Sequence, residues 1–358
     1  MSGRLFINGR FLTHLITGVQ RYARELMRAW DEWNPDVELV CLAPPEDFER
    51  PTWKNIALKI IGKNRGNAWE QVDLPLWLKG RFLFSPANIG PAFYANQVVT
   101  MHDASVFAAP EAYSRAFQLK YRFAFRQLAK RVRRIFTDSV FSQRELAYWL
   151  RRPAGRFEVV PLGGDHLQRL RSDESVLDKH GLRGMDFMLM VANQGPHKNM
   201  RRALDAANQL RGRETRFVLA GGRFKAVFQS ARAGSLPSNV VQVGYVGDAE
   251  LKALYEHARG FIVPSLYEGF GLPVLEAMNC GCPVLSSRAA SLPEVGGDAA
   301  MYFDPLDAND IASKLERFIS DPNRRAEWRE RGKRHAAQFT WDRTARRTMD
   351  LLTPYFSP

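Results

Sequence analysis

A chain of 358 residues, with 45% hydrophobic and 25% charged side chains, is too long for one ordinary core, and its composition is that of a folded two-domain protein and not of a disordered or fibrous one. No run approaches the length of a membrane span, the N-terminus has no apolar signal core, and the three cysteines, Cys41, Cys280 and Cys282, lack the partners of a disulfide framework or a zinc site, so a cytoplasmic location is expected. The formal charge of +13 is concentrated: between Arg115 and Arg156 twelve Lys or Arg stand against two acids, Asp138 and Glu145.

In chain order, Leu5 to Asn8 reads as a first strand. Val19, Tyr22, Ala23, Leu26, Met27 and Trp30 then recur at helical spacing and predict a helix from Val19 to about Trp33, with Thr17-Gly18 at its mouth. Strands are expected at Val37 to Leu42, Ile56 to Ile61, Phe82 to Ser85 and Gln97 to Met101, and a helix from Trp69 to Leu78 interrupted at Pro75. The strand ending at Met101 runs into His102-Asp103, which puts a histidine and a carboxylate at a strand's carboxyl end, where open parallel sheets keep their ligands. A basic, aromatic helix from Arg115 to Lys130, a strand from Arg134 to Ser139, a helix from Ser142 to Leu150 and the segment Phe157 to Asp165 close the first half.

The pattern restarts at Asp186 to Ala192, and Pro196-His197-Lys198-Asn199 opens a helix near Met200. Arg216 to Gly222 is a buried strand ending in glycines, Val240 to Val246 is the next, and Glu250 to Ala258 is a helix. The densest stretch follows. Phe261 to Pro264 ends a buried strand, Gly269 and Gly271 make the backbone pliable, Pro273 suits the first turn of a helix, Gly281 suits its left-handed stop, and Cys282 to Ser286 is another strand. A glycine turn feeding a helix start aims unpaired N–H groups and the positive end of a dipole at one spot, which is an anion site fit for phosphate. Glu268 and Glu276 frame that turn and are better suited to accept hydrogen bonds from hydroxyls on either side of it. Ala300 to Pro305, helices from Asp310 to Ile319 and Pro322 to Phe339, and a last helix from Phe339 to about Leu352 complete an α/β chain, whose alternation predicts parallel sheets covered on both faces.

On the string from Glu268 to Glu276, two glutamates separated by seven residues, the sequence resembles the retaining GT-B glycosyltransferases of family four. The resemblance implies two Rossmann-like domains facing across a cleft: an acceptor-side domain over 1–165, a nucleotide-sugar domain over 166–338, and a segment 339–358 whose helix crosses back to the first domain. Met101 to Phe107 with Pro110-Glu111 resembles the His-Asp segment of the bacterial mannosyltransferase-like members, which implies a sugar contact near the reacting carbon for His102. By the same resemblance the donor diphosphate rests on the N–H groups around Phe270, Gly271 and Leu272 with Lys198, Glu276 holds the ribose, and Glu268 orients sugar hydroxyls. Gly222 edges the nucleotide, the backbone at Tyr245 and Val246 faces the base, and Gly18 lies near donor phosphates or acceptor. Many relatives carry an arginine where Asn193 stands, so one phosphate contact is absent or falls to Arg201 or another residue.

The function implied is retaining transfer of a hexose, with mannose from GDP-mannose as the best guess, to a glycan acceptor, lipid-linked, in bacterial surface polysaccharide assembly. No metal cofactor is expected, since no Asp-x-Asp motif sits near a strand end. A transferase using a UDP-sugar or other donor on a soluble acceptor, a non-catalytic sugar or lipid-binding module, and a phosphorylase-like enzyme remain as alternatives. Aromatic residues interleave with the basic residues from Tyr113 to Val132, which leaves two readings of that face: a solvated helix, or a peripheral contact with an anionic membrane surface at the inner membrane. No helix-turn-helix, zinc-finger or single-strand-binding signature accompanies the charge, so nucleic acid is not expected as a partner.

Overall fold

The computed structural model describes residues 3–192, 195–210, 215–222 and 238–356. The chain divides into two compact units, Met1–Gly163 with Trp341–Pro358, and Gly164–Thr340.

The first unit is built on seven parallel strands: β1 (Arg4–Asn8), β2 (Glu38–Ala43), β3 (Ile56–Ile60), β4 (Leu83–Ser85), β5 (Gln97–Thr100), β6 (Arg134–Thr137) and β7 (Phe157–Val159). Their order is β3-β2-β1-β4-β5-β6-β7. The chain therefore winds outward one way from β1 and the other way from β4, so the loops after these two strands part at the carboxyl edge and leave a crevice. The helix Gly18–Trp33 buries Tyr22, Leu26, Met27 and Trp30 at the spacing read from the sequence. The final helix Trp341–Leu352 packs on it: Trp30 Nε1 donates to Ala345 O at 3.0 Å, and the Tyr22 and Trp341 rings lie 6.3 Å apart.

Two boundaries differ slightly from those expected at 165 and 338. Phe339 packs its ring on Phe270 and His335, and its carbonyl accepts from Gly164 N, so residues 164 and 339 both belong to the second unit and the last helix starts at Trp341. The expected break at Pro75 is also absent. Helical turns run from Gly66 to Leu78, and the segment before the proline, Trp69–Asp73, is a π turn in which Leu74 N bonds Trp69 O. The wider turn absorbs the missing donor and the bulk of the ring.

The second unit has six parallel strands, β8 (Phe187–Ala192), β9 (Arg216–Gly221), β10 (Val240–Gly244), β11 (Gly260–Val263), β12 (Val284–Ser287) and β13 (Ala300–Phe303), in the order β10-β9-β8-β11-β12-β13. Here the reversal lies between β8 and β11. Alternate residues Met188 and Met190, Phe217 and Leu219 face one side of the sheet and pack with Leu204, Ile311, Leu315 and Phe318 from the helices Met200–Gln209 and Ala308–Ser320. That apolar layer makes the sheet a rigid base for the loops at its carboxyl edge. Among the described residues no helix is long and apolar enough to cross a membrane.

Candidate active site

The loops after β8 and β11 emerge side by side at the reversal of the second sheet. After β8, Pro196–Lys198 makes one tight turn, and Asn199 takes a left-handed conformation before the next helix. Its buried amide donates to Pro264 O at 3.0 Å and Pro305 O at 2.7 Å, while Leu266 N donates to His197 O at 2.7 Å. These bonds stitch three strand ends together and fix where Lys198 leaves the backbone. Lys198 Nζ lies 2.7 and 2.9 Å from the two Glu268 oxygens, and Ser265 Oγ donates to the same carboxylate at 2.7 Å. Burial pushes the Glu268 carboxyl up, but Lys198 beside it, with Ser265, holds it below the ordinary glutamate range. An ammonium and a carboxylate thus sit charged and mostly enclosed at one strand-end crevice.

The glycine turn follows directly. Gly271 has φ 99°, a backbone state that a side chain rarely adopts, and a Cβ there would lie 2.8 Å from Leu292 Cδ2. Ser291 Oγ is 2.9 Å from Glu268 O and 2.8 Å from Phe270 O, so its single proton is shared between, or alternates between, the two carbonyls of the turn. The helix Leu272–Asn279 starts there with Pro273 in its first turn and no side-chain cap. The Phe270 and Leu272 side chains are buried, so only their backbone is available to a ligand. Gly222 follows the end of β9, where a Cβ would meet none of the described residues within 4 Å, and Tyr245 and Val246 follow β10, Tyr245 with 82% of its surface exposed. Asn193 lies outside the described residues.

Glu276 does not stand as an open acceptor. It is 7% exposed, with Oε1 3.2 Å from His166 Nε2 and Oε2 accepting from the Tyr255 hydroxyl at 3.3 Å. Glu268 and Glu276 thus have separate polar environments. Neither His166 nor Tyr255 stood out in the sequence, because no local spacing links Glu276 to a residue 110 positions away or to one 21 positions away on another helix.

In the first unit, His102 is buried just beyond β5, and its partner is Asp138, not the adjacent Asp103. His102 Nδ1 is 2.8 Å from Asp138 Oδ2, and Nε2 is 3.1 Å from Pro86 O. Neighbours in sequence at a strand end diverge, whereas β5 and β6 pair Val98 with Arg134 and Thr100 with Phe136, an offset that brings 102 beside 138. Asp103 Oδ1 instead accepts from Ser105 N. Burial disfavours the charge on both members of the pair; for His102 the contact with Asp138 outweighs it, and the imidazole is raised above its ordinary value. Nε2 faces a carbonyl that can only accept, Nδ1 shares a hydrogen bond with Asp138, whose carboxyl is also raised by burial, and both ring nitrogens are thus used within the fold.

Gly18 is the first residue of its helix, with open space around its Cα. Its neighbours Thr17 and Val19 line a cavity of about 640 Å³ at the reversal of the first sheet, between the loop after β1 (Asn8, Arg10) and the loop after β4 (Ala87, Asn88, Ile89). Tyr113, Phe117 and Tyr121 form another wall. Among the described residues no three His, Cys, Asp or Glu side chains gather as a metal site.

Comparison with known proteins decides what this arrangement belongs to. A family model described as glycosyl transferases group 1 matches residues 174–335. The O-antigen chain mannosyltransferase B of Escherichia coli is 34% identical over 280 residues, 73% of this chain and 72% of that protein. The chain belongs to the group 1 glycosyl transferases. The solved sucrose-phosphate synthase of Thermosynechococcus elongatus superposes with a TM-score of 0.79 at 18% identity over 99% of both chains. HepE from Anabaena, solved with UDP and glucose, gives 0.75 at 16% identity over 98% of this chain and all of that one. The fold of this group 1 glycosyl transferase is accordingly GT-B, and the enzyme is a hexosyltransferase. Residues 174–335 contain Lys198, Ser265, Glu268, the glycine turn and Glu276, so the family match falls on the charged crevice of the second unit.

Proposed function

We propose that the protein moves a mannosyl group from GDP-mannose to a glycan acceptor in surface polysaccharide assembly, with retention at the reacting carbon. The observation that carries this reading is the Lys198–Glu268–Ser265 cluster beside an uncapped helix start at the reversal of the second sheet. A diphosphate there meets the helix N–H groups and the Lys198 ammonium, which neutralises charge as the leaving group departs. Lys198 then turns from Glu268 to phosphate, and Glu268 is released to accept from sugar hydroxyls. Glu276 is oriented by His166 and Tyr255, and a ribose hydroxyl reaches it by joining or displacing one of these partners. With these donors the reaction needs no metal. The likeness to an E. coli O-antigen mannosyltransferase supports mannose as the sugar and a surface glycan as the acceptor.

A panel of GDP-mannose, UDP-glucose and other nucleotide sugars, each with and without EDTA, tests the reading by release of nucleoside diphosphate. Turnover of GDP-mannose alone, unaffected by chelator, is expected. Preference for a UDP-sugar or loss of turnover in EDTA overturns the donor or the metal-free part respectively.

Contact with an anionic membrane, and with it a lipid-linked acceptor, belongs to the same proposal. On the helix Arg115–Arg131, Phe117, Leu119 and Phe123 are exposed among six of the twelve basic residues already counted. Basic residues near an anionic surface contribute about 1 kcal/mol each, and exposed apolar side chains insert beside them. Co-sedimentation with anionic vesicles that disappears at high salt is expected; no binding at low salt removes the membrane from the reading.

A further inference from the structure

The helix Pro322–Ala336 buries only Gly332 and Ala336, and it carries six Lys or Arg against two acids, Glu327 and Glu330. Both acids are taken within the helix, Glu327 by Arg331 at 2.6 Å and Glu330 by Lys333 at 3.5 Å. Among the described residues the guanidinium groups of Arg324, Arg325, Arg329 and Arg334 have no carboxylate in an ion pair.

Two of these arginines, Arg325 and Arg329, stand one turn apart and line a cavity of about 390 Å³ whose far wall holds Arg259 and Pro283. Arg259 precedes β11 and Pro283 precedes β12, so the cavity lies at the amino edge of the second sheet. Lys198 and Glu268 lie at the carboxyl edge, the opposite end of the same parallel strands, and the cavity is therefore separate from the nucleotide crevice. Arg259 is paired with Asp186, His257 at the rim lies 3.2 Å from Glu174, and Glu330, the single acid of the lining, is held by Lys333. What stays unbalanced in the lining is the charge of Arg325 and Arg329.

That charge is costly where it stands. Like charges one turn apart on a helix repel, and Arg259 is lowered from the ordinary arginine range first by burial and then by the charge of Arg325. Burial lowers Arg325 too, with Asp321 offsetting a part. Arg325 is nevertheless held in place, because its Nη1 donates to Phe318 O at 3.0 Å and to Ile319 O, carbonyls in the last turn of the helix Ala308–Ser320. A fixed donor of this kind loses little freedom when a ligand arrives.

The charge balance selects the ligand. A neutral molecule leaves both charges unrelieved, and a carboxylate cancels one of them. A phosphate group carries about −1.5 to −2 near neutral pH and has several oxygens to accept from guanidinium forks on two sides. We propose that this cavity is a second anion site that binds a phosphate group, with Arg325 and Arg329 as its recognition elements. Free phosphate and the phosphomonoester headgroup of a lipid share that chemistry.

The test uses the full chain at constant ionic strength, so that screening is not read as binding. Inorganic phosphate is titrated by calorimetry into Lys198→Ala, which removes the cation of the nucleotide crevice, and into the same protein carrying Arg329→Gln or Arg334→Gln. Arg329→Gln is expected to weaken binding on the order of tenfold, the loss of one charge-assisted bond. Arg334→Gln removes an equal charge outside the cavity and is expected to change little. Arg329 is exposed, so its variant keeps the fold, which an unchanged urea midpoint checks. Co-sedimentation with phosphatidylcholine vesicles containing phosphatidic acid assigns the source. Pelleting that falls in Arg329→Gln and not in Arg334→Gln places the phosphate on a lipid; equal pelleting, with phosphate affinity lost only in Arg329→Gln, places it in solution. Arg329→Gln that alters neither phosphate affinity nor pelleting overturns the proposal, and so does an equal loss in Arg334→Gln, which would show diffuse charge and no built site.

Discussion

Each sheet reverses its strand order once, at β1/β4 in the first unit and at β8/β11 in the second, and each gathers its polar residues at that edge. The two edges are furnished differently. In the second unit, loop carbonyls and Asn199 position a lysine, a carboxylate and a bare helix start, a set that favours an anion. In the first, the Arg10–Glu70 pair is internally balanced and faces a column of aromatic rings. The same topology therefore provides a crevice twice, and the loops alone decide whether it is electrostatic or amphipathic. That is the physical content of placing function in sites and not in folds.

The contrast can be broken most forcefully at Lys198. Lys198→Ala should lower kcat by ~10²–10³ because one preorganised cation facing the leaving group is lost. Steady-state turnover of the nucleotide sugar reads this, and a kcat within a few fold of wild type removes the electrostatic character assigned to the second edge.

Gly271→Ala comes next. The left-handed backbone and the approach of Leu292 should together cost about 1 to 3 kcal/mol in urea unfolding and weaken nucleoside diphosphate binding with it. Full stability in the variant means that the turn relaxes freely, and the anion site is then less preformed than described. Glu276→Ala should weaken nucleoside diphosphate binding by about 1 to 3 kcal/mol in calorimetry, since it also frees His166 and Tyr255 from their shared acceptor. Unchanged affinity takes Glu276 out of the ribose contact.

A pH series sharpens the first unit. The folded protein favours the His102 imidazolium, so its contribution is complete below the ordinary imidazole pKa of ~6.5 and is lost as pH rises through the higher folded value. The stability gap between wild type and His102→Gln should accordingly narrow above neutral pH, as followed by denaturation midpoints. A gap independent of pH shows that the ring is neutral throughout. The smallest effect is expected at Tyr245→Ala, within about 0.5 kcal/mol of wild-type stability, because the side chain is almost wholly in solvent. A larger loss contradicts its exposed position.

What the sequence displays and what it hides follow from the range of the interactions. The strands, the helix Gly18–Trp33, and the turn from Gly269 to Pro273 are written in local periodicity and backbone chemistry, and the structure has them within a few residues of where they are read. Lys198 and Glu268 were each singled out, but their pairing depends on β8 and β11 being neighbours, which no local pattern states. His102 and Asp103 were read only as a histidine and a carboxylate at a strand end, and the contact of His102 with Asp138 comes from register across β5 and β6, which adjacency along one strand does not show. Comparing distances from the strand starts, Val98 to His102 and Arg134 to Asp138, supplies the signal that finds it. Ser265 and Ser291 left no trace, since a serine gains meaning only from the carbonyl or carboxylate it meets.

The π turn at Trp69–Asp73 bears on how far this enzyme tolerates change. A π turn is, in angular terms, an α-helix with one residue too many, and each residue advances a helix by about 100°. Deleting a single residue between Val72 and Leu74 would restore regular winding and rotate everything before it, Glu70 included, by that angle relative to Leu78. Glu70 would then swing away from Asn8 and Arg10 while the helix itself survived. Whether this loop-free stretch accepts a deletion is thus set by the aim of one carboxylate, and a length change there acts as a substitution at a distance.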